Sequence, residues 1–278
     1  MSNDATQIAA RIRMAGYLLP MALASGALVR MVAFWRGVAR ARAFAAAGER
    51  FERRSPSSAR VILILGDSTG VGVGAQRPEE SVAGRLAADF PDADIVNVSR
   101  SGARVSDALG QARQCLSLGL RFDLAVLHVG ANDVVRATPA TKLAADCEVL
   151  LAEMKGLAER TVWLGPPNVG LAPLFPRPYA WLLGARSRAA ALVFAAAAAR
   201  HGAVFIDFCA PEHALLLSRS RRRHFAADGF HPNSTTYGHG YSALRAALAV
   251  VTLAATVQAG EAASVPTPAL PSGVGVSG

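Results

Sequence analysis

A serine in a glycine-flanked turn, Gly66-Asp67-Ser68-Thr69-Gly70, directly follows an apolar run over residues 61–65. Because this run shows no polar alternation, it predicts a strand that is buried on both faces. The carboxyl ends of such strands open onto the crevice where α/β proteins bind ligands, and glycines let the chain turn sharply there. Ser68 is therefore a candidate nucleophile, although the same residue types are also common in tight turns without any chemistry.

A histidine with a nearby carboxylate lies far downstream, in Asp228-Gly229-Phe230-His231-Pro232. A serine hydroxyl becomes a good nucleophile when an imidazole takes its proton and a carboxylate fixes the tautomer of that imidazole. Asp228 and His231 can share one turn, so that one ring nitrogen faces the carboxylate and the other faces the serine. Taken alone, the pair is equally typical of a solvated loop or a helix cap. We expect Asp67, a chain neighbour of the serine, to hold the loop instead.

Two further groups follow other predicted strands. Gly102 comes after the strand at residues 94–98, and Asn132 comes after the strand at residues 122–129. Acyl transfer requires hydrogen-bond donors aimed at the oxygen that gains negative charge, and a backbone N–H at Gly102 with the Asn132 amide would supply them. The alternatives are an ordinary turn glycine and an Asn-Asp helix cap.

These four blocks together resemble the SGNH hydrolases, also called the GDSL esterase and lipase family. Gly66-Asp67-Ser68 resembles the first block of the family, Gly102 the second, Gly130-x-Asn132-Asp133 the third and Asp228-x-x-His231 the last, in the family order. The resemblance extends from residue 61 to about residue 250. Thr69 stands where the family has leucine, at a position that we expect to carry no chemistry.

The resemblance implies a serine ester hydrolase that cleaves carboxylic esters or thioesters through an acyl-enzyme. An O-acyltransferase with the same site, or a catalytically silent binder of acylated sugars or lipids, is the alternative. We expect a small-molecule ester substrate, no cofactor and no metal. The implied roles are nucleophile for Ser68, general base and acid for His231, orienting carboxylate for Asp228, and an oxyanion hole formed by the Ser68 and Gly102 N–H groups and the Asn132 side chain.

Two other readings use the same residues. Gly66-x-Ser68-x-Gly70 also fits the nucleophile elbow of the α/β-hydrolases, but that elbow follows several strands and here the serine follows the first. Gly70, Gly72 and Gly74 could cradle a phosphate, but no Gly-Lys-Ser/Thr ending follows them.

The order of predicted elements gives the fold. Strands separated by helix-length crossovers predict a parallel sheet with helices on both faces. We therefore expect a three-layer α/β/α sandwich with a five-stranded parallel, flavodoxin-like sheet. The strands are predicted at residues 61–65, 94–98, 122–129, 161–165 and 203–208, and the helices near 79–90, 104–119, 140–159, 179–201 and 234–256. The proline-rich segment 165–178 should form a wall of the crevice, and Tyr179 and Trp181 either line an acyl pocket or simply pack.

The net charge of +9 comes mostly from arginine, and Arg219–His224 is the densest basic run. This run lies either at the entrance to the site or in a solvated loop. No aromatic platform or known module supports nucleic-acid binding. The odd number of cysteines, Cys115, Cys147 and Cys209, favours reduced thiols in the core over disulfides. The histidines match no zinc-binding spacing.

The ends of the chain differ in character from the rest. We divide it into an apolar and basic helical extension (1–58), the hydrolase domain (59–256) and a disordered tail (257–278). Residues 14–35 are mostly apolar but interrupted by Pro20 and Arg30, which predicts contact with a membrane surface or a marginal span. The arginines that follow favour a cytoplasmic protein at the inner face of the membrane, whereas a signal peptide cleaved after Ala24 would give a periplasmic one. We expect a monomer.

Overall fold

The computed structural model describes residue 26, residues 28–56 and residues 58–263, without the side chains of residue 222 and residues 250–263. Five parallel strands form one sheet in the order β2-β1-β3-β4-β5. This is the flavodoxin-like order, so the predicted fold class is confirmed. The strands are β1 (Arg60–Gly66), β2 (Ala93–Asn97), β3 (Phe122–His128), β4 (Ala158–Leu164) and β5 (Val204–Ile206).

The helices follow the strands in sequence and cover both faces of the sheet. Short 3₁₀ helices add Pro78–Glu80 and Val169–Leu171. The α-helices are α1 (28–46), α2 (Ser68–Val71), α3 (Val82–Asp89), α4 (Val105–Ser117), α5 (Ala131–Val135), α6 (Ala140–Leu157), α7 (Arg177–His201), α8 (Pro211–Arg219), α9 (Arg221–His224) and α10 (Ser234–Ala263).

The central strand β1 shows why the sheet has two covered faces. Leu63 and Leu65 pack into one cluster with α4, α6 and α7, whereas Ile62 and Ile64 pack into a second cluster with α3 and α10. Successive side chains of a strand point to opposite faces, so an uninterrupted apolar run is what a strand between two helical layers requires. The nucleophile candidate therefore follows one of the most buried strands of the molecule.

Most element boundaries agree with the prediction to within a few residues. The main differences are the short helices α5, α8 and α9, which are too short to show a clear helical period in the sequence. Helix α10 continues to Ala263, so residues 257–263 are helical where we expected the disordered tail, and residues 264–278 lie outside the described part of the chain. Cys115 and Cys147 lie buried in the core, as predicted, whereas Cys209 is only half-buried.

Helix α7 is long and apolar enough to cross a membrane by length and composition, and it is the only such helix in the described part of the chain. Leu183 and Phe194 are nevertheless fully buried against the sheet, and Trp163 of β4 stacks near Phe194 with ring centroids 4.8 Å apart. These contacts identify α7 as a core helix.

The segment before β1 packs against the hydrolase domain. The Arg53 guanidinium donates to the carbonyls of Ala87 (2.6 Å) and Ala93 (2.9 Å), and its backbone pairs with Ile95 at the edge of the sheet. The carboxylate of Asp94 accepts the Ser55 amide at 2.7 Å. Arg53 is thus a structural residue.

Candidate active site

Ser68 begins helix α2, two residues after the carboxyl-terminal residue of β1, Gly66. The turn requires glycine at position 66, because Gly66 has φ +135° and a Cβ there would lie 2.0 Å from the His128 carbonyl oxygen. The side chain of Gln111, on α4, holds the backbone of Gly66 with two hydrogen bonds. It accepts the Gly66 N–H at 2.8 Å and donates to the Gly66 carbonyl at 2.9 Å. The hydroxyl of Ser68 is therefore presented by a rigid turn.

His231 lies in the loop before α10 and contacts Ser68, although the two residues are 163 positions apart in the sequence. Its Nε2 lies 3.1 Å from Ser68 Oγ, and its Nδ1 lies 2.5 Å from Asp228 Oδ2. The backbone carbonyl of His231 accepts the Ala226 amide at 2.8 Å, which holds the ring at this position. The predicted Ser68, His231 and Asp228 thus form one continuous hydrogen-bonded chain.

The loop around Asp228 favours its ionised form. Burial raises the pKa of this carboxyl, but hydrogen bonds from the His231 ring and from the backbone N–H groups of Phe230 and His231 outweigh burial and leave the pKa below its usual value. The two N–H groups reach Asp228 Oδ1 at 3.0 and 3.1 Å. A carboxylate held this way can orient an imidazole and stabilise its protonated form.

Gly102 and Asn132 follow β2 and β3, the two strands that flank β1, and each lies beyond the carboxyl end of its strand, as the sequence predicts. Gly102 has a positive φ of +83°, and Asn132 Nδ2 donates to the carbonyl of Ala103 at 3.1 Å. Within the described part of the chain, neither the Ser68 N–H nor the Gly102 N–H has a hydrogen-bond acceptor. An oxyanion hole needs donors that are unpaired before substrate binds, and both N–H groups meet that condition.

Asp133 joins the two loops that carry these donors, a role that the sequence analysis missed. Its Oδ2 accepts the Val105 N–H at 3.0 Å and its Oδ1 accepts the Thr138 hydroxyl at 2.9 Å. The side chain is buried, and this burial raises its pKa. Nothing in the sequence distinguishes Asp133 from an ordinary helix-start residue, because its partner at Val105 is distant in sequence.

Asp67 holds the nucleophile loop, as expected. Its Oδ1 accepts the Thr69 N–H at 2.8 Å and the Thr69 hydroxyl at 2.6 Å. Burial raises the pKa of Asp67 to about 6 despite these bonds. Thr69, where the family has leucine, therefore contributes a hydrogen bond to a buried carboxyl, a role that the sequence did not predict.

A cavity opens in front of the serine. Its walls include Ser68, Asn132 and His231 together with mostly apolar side chains, and it encloses about 540 Å³, including space open to solvent. A second cavity of about 650 Å³, including space open to solvent, shares Thr69, Pro167 and Leu217 with its lining. The wall predicted from the proline-rich segment is present as Pro167, Asn168, Val169 and Ala172.

Other sequence candidates near the site have structural or solvent-exposed positions. Trp181 is 76% exposed, and Tyr179 packs against Phe34 and Phe175. In the basic run, the Arg219, Arg221 and Arg223 side chains are exposed, whereas the flanking Leu217 and Phe225 line the cavity. The described residues include no group of three or more His, Cys, Asp or Glu side chains placed to hold a metal ion.

Helix α1 lies beside the site, which the sequence did not predict. The Phe44 ring centroid is 6.4 Å from that of His231, and the Ser101 hydroxyl, next to Gly102, donates to the Ala45 carbonyl at 3.1 Å. A Cβ at Gly48 would lie 2.7 Å from Val73 Cγ2. The end of α1 therefore contacts both the histidine side and the oxyanion side of the site.

Solved structures with this fold include several esterases. The chain aligns with TesA at a TM-score of 0.54 and 19% identity, covering 68% of this chain and 98% of TesA. It aligns with the psychrotrophic esterase EstA from Pseudoalteromonas sp. at 0.54 and 20% (69% and 98% covered), and with a catalytic mutant of Axe2, an acetylxylan esterase from Geobacillus stearothermophilus, at 0.52 and 20% (70% and 94% covered). These similarities confirm the fold. Comparison with curated proteins gives no match.

A family model supplies the identification. Residues 64–239 match the GDSL-like Lipase/Acylhydrolase family, and this segment contains the serine, the histidine, its carboxylate and the Gly102 and Asn132 loops. The match confirms the resemblance seen in the sequence motifs. The chain belongs to the GDSL-like lipase and acylhydrolase family and is a carboxylic ester hydrolase.

Proposed function

We propose that this protein hydrolyses carboxylic esters through an acyl-enzyme on Ser68. The observation that carries the proposal is the chain of contacts from Asp228 through His231 to Ser68 Oγ, at 2.5 and 3.1 Å. These distances lie within the range for proton transfer between a nucleophile, a base and its orienting acid.

In the first half of the reaction, Ser68 Oγ attacks the ester carbonyl carbon while His231 Nε2 takes the hydroxyl proton. The carbonyl oxygen becomes an oxyanion and accepts hydrogen bonds from the Ser68 and Gly102 N–H groups and from Asn132 Nδ2. When the carbon–oxygen bond to the alcohol breaks, His231 returns the proton to the leaving alkoxide. The acyl group is then bonded to Ser68.

In the second half, His231 takes a proton from water, and the hydroxide attacks the acyl carbon. Collapse of this intermediate breaks the bond to Ser68 Oγ, which regains the proton from His231, and the carboxylic acid leaves. Asp228 remains ionised throughout and stabilises the imidazolium in both halves.

The cavity next to Ser68 favours an ester with an apolar group. Leu217, Phe225, Phe230 and Val169 line it, and the adjoining second cavity, which shares Leu217, adds Leu164 and Phe208. Apolar lining of this kind binds hydrocarbon through the removal of water from both surfaces. We propose that one side of the substrate, the acyl group or the alcohol, occupies this space.

The test is turnover of a series of p-nitrophenyl esters from acetyl to dodecanoyl by the full chain and by Ser68→Ala. We expect Ser68-dependent release of p-nitrophenol that rises beyond the acetyl ester, with the free carboxylic acid as the second product. Equal rates for the wild type and Ser68→Ala would refute the acyl-enzyme. An acyl product formed on an added alcohol in place of the free acid would assign acyl transfer instead of hydrolysis.

A further inference from the structure

Helix α1 has two faces of different chemistry. Its inner face packs on the hydrolase domain: Phe34 lies 6.4 Å from the rings of Phe175 and Tyr179, and Ala41 is buried. These positions, with Gly37 between them, follow the spacing of one side of a helix. The inner face therefore fixes which side of α1 is turned away from the protein.

The side turned away carries large apolar side chains that keep about half of their surface exposed. Leu28, Val29, Val32 and Trp35 are 55%, 67%, 41% and 59% exposed, respectively. A contiguous apolar surface of this kind on one helix marks a contact with a lipid surface or another protein. Trp35 adds an aromatic side chain of the type enriched at membrane interfaces.

The charges of α1 favour a lipid surface that is anionic. The helix contains Arg30, Arg36, Arg40 and Arg42 and no acidic residue, and all four arginines are exposed. Among the described residues, no carboxylate forms an ion pair with any of the four. Arg36 and Arg40 line the same surface groove as Leu28, Val29 and Val32, and an apolar stripe bordered by unpaired arginines is typical of helices that lie in the plane of a membrane interface.

The sequence before α1 points to the same occupant. Residues 14–25 are almost entirely apolar, and they lead directly into the exposed stripe. A second copy of the chain would bring the four arginines of one helix close to those of another, which like-charge repulsion opposes. An anionic bilayer complements both features.

We propose that the exposed face of α1, formed by Leu28, Val29, Val32 and Trp35, docks on an anionic lipid bilayer. The same helix ends at Phe44 beside His231, so docking places the active site next to the bilayer surface. It follows, resting on the proposed ester hydrolysis, that the substrates include esters carried in the membrane.

Vesicle flotation tests the docking directly. We expect the full chain to float with phosphatidylcholine vesicles that contain phosphatidylglycerol, and to bind pure phosphatidylcholine at least tenfold more weakly. The double variant Val29→Glu, Val32→Glu should lose at least tenfold in binding. The matched control is Leu192→Glu on α7, because Leu192 is 74% exposed and lies far along α7 from the Tyr179 contact with α1; its binding should be unchanged.

Tryptophan fluorescence locates the contact. In a Trp181→Phe background, Trp35 is the only exposed tryptophan, since Trp163 is fully buried. Brominated lipid should quench its emission when anionic vesicles are added. The Trp35→Phe, Trp181→Phe double variant, which keeps only Trp163, sets the baseline.

Several outcomes would overturn the proposal. If the double glutamate variant still binds vesicles, another segment, such as residues 14–25, is the one that binds the membrane. If brominated lipid does not quench Trp35, this face of α1 does not dock on the bilayer. A lipid-free dimer that the double glutamate variant converts to a monomer would assign the face to a second copy.

Activity measurements distinguish a failure of membrane docking from a failure of the proposed ester hydrolysis. The double glutamate variant should hydrolyse a soluble p-nitrophenyl ester at the wild-type rate and a vesicle-borne ester at least tenfold more slowly. If neither the wild type nor the variant hydrolyses either ester, the proposed ester hydrolysis is refuted, and the flotation result still stands as a test of docking.

Discussion

Gln111 of helix α4 forms two hydrogen bonds with the backbone of Gly66, the last residue of β1. Both partners are buried, so the side chain satisfies polar groups that water does not reach. Buried backbone groups without partners cost about 1–3 kcal/mol each. The nucleophile turn is thus held by α4, the helix whose first N–H, at Val105, also binds the Asp133 carboxylate.

Gln111→Leu should lower the free energy of unfolding by about 1–3 kcal/mol, because it keeps the volume but leaves the Gly66 N–H unpaired, whereas the Gly66 carbonyl still accepts the Arg100 N–H at 2.9 Å. Urea unfolding measures this loss. Gln114→Leu on the same helix is the control, since Gln114 is exposed, and it should change stability by less than about 0.5 kcal/mol. Equal effects in the two variants would contradict the role of Gln111.

Asp67→Asn should stabilise the protein at high pH. The raised pKa of about 6, against 3.8 without burial, means that the native state holds this proton more tightly than the unfolded state. The wild type therefore loses stability as pH rises from about 4 to 6, and asparagine, which keeps the acceptor for Thr69, avoids that loss.

The stability difference between Asp67→Asn and the wild type should be larger at pH 8 than at pH 4.5 by about 2 kcal/mol, as measured by urea unfolding. Asp107→Asn, which changes an exposed carboxylate, serves as the control. If Asp67→Asn changes the free energy of unfolding by the same amount at both pH values, burial does not raise the pKa of Asp67.

Asp228→Asn should reduce kcat for an activated ester by a factor on the order of 10⁴, as the corresponding change does in serine protease triads. The amide can present a donor to His231 Nδ1, which favours the wrong tautomer. Asp207→Asn is a matched control, because the Asp207 side chain accepts, among the described residues, only a local hydrogen bond from the Cys209 amide at 2.8 Å. Wild-type rates for Asp228→Asn would reassign the orienting acid.

Asn132→Ala should reduce kcat by a factor of about 10²–10³ and leave KM within a few-fold. The reason is that the Asn132 amide would donate to the oxyanion only after the carbonyl has been attacked. Steady-state kinetics with a soluble ester separate the two constants, and the melting temperature checks the fold. A rise in KM alone would identify Asn132 as a substrate-binding group.

The sequence predicts the fold, and it identifies the residues that the structure brings together at the candidate site, because both depend on local signals. The run at residues 61–65, the glycine turns and the Asp228 and His231 spacing each encode a local feature, and the parallel sheet brings the strand ends together. A polar Gln111 within the apolar positions of α4 was a readable signal of a buried contact.

The contacts that the sequence does not reveal are nonlocal. Asp133 accepts a hydrogen bond from the Val105 amide, and the Phe44 ring lies beside the His231 ring. Nearly the whole hydrolase domain separates Phe44 from His231 in the sequence. Neither follows from periodicity or motif spacing. The position of α1 depends on how Phe34 and Gly37 pack on the loop that contains Leu174 and Phe175, which only the assembled fold determines.

Covalent trapping of Ser68 tests the central claim most directly. The full chain is incubated with a fluorophosphonate ester, and the modified peptide is identified by mass spectrometry. We expect one phosphonyl group on Ser68, no labelling at this peptide in Ser68→Ala, and labelling slowed by at least a hundredfold in His231→Ala. Labelling of another residue at the wild-type rate in Ser68→Ala, with ester turnover retained, would contradict the account.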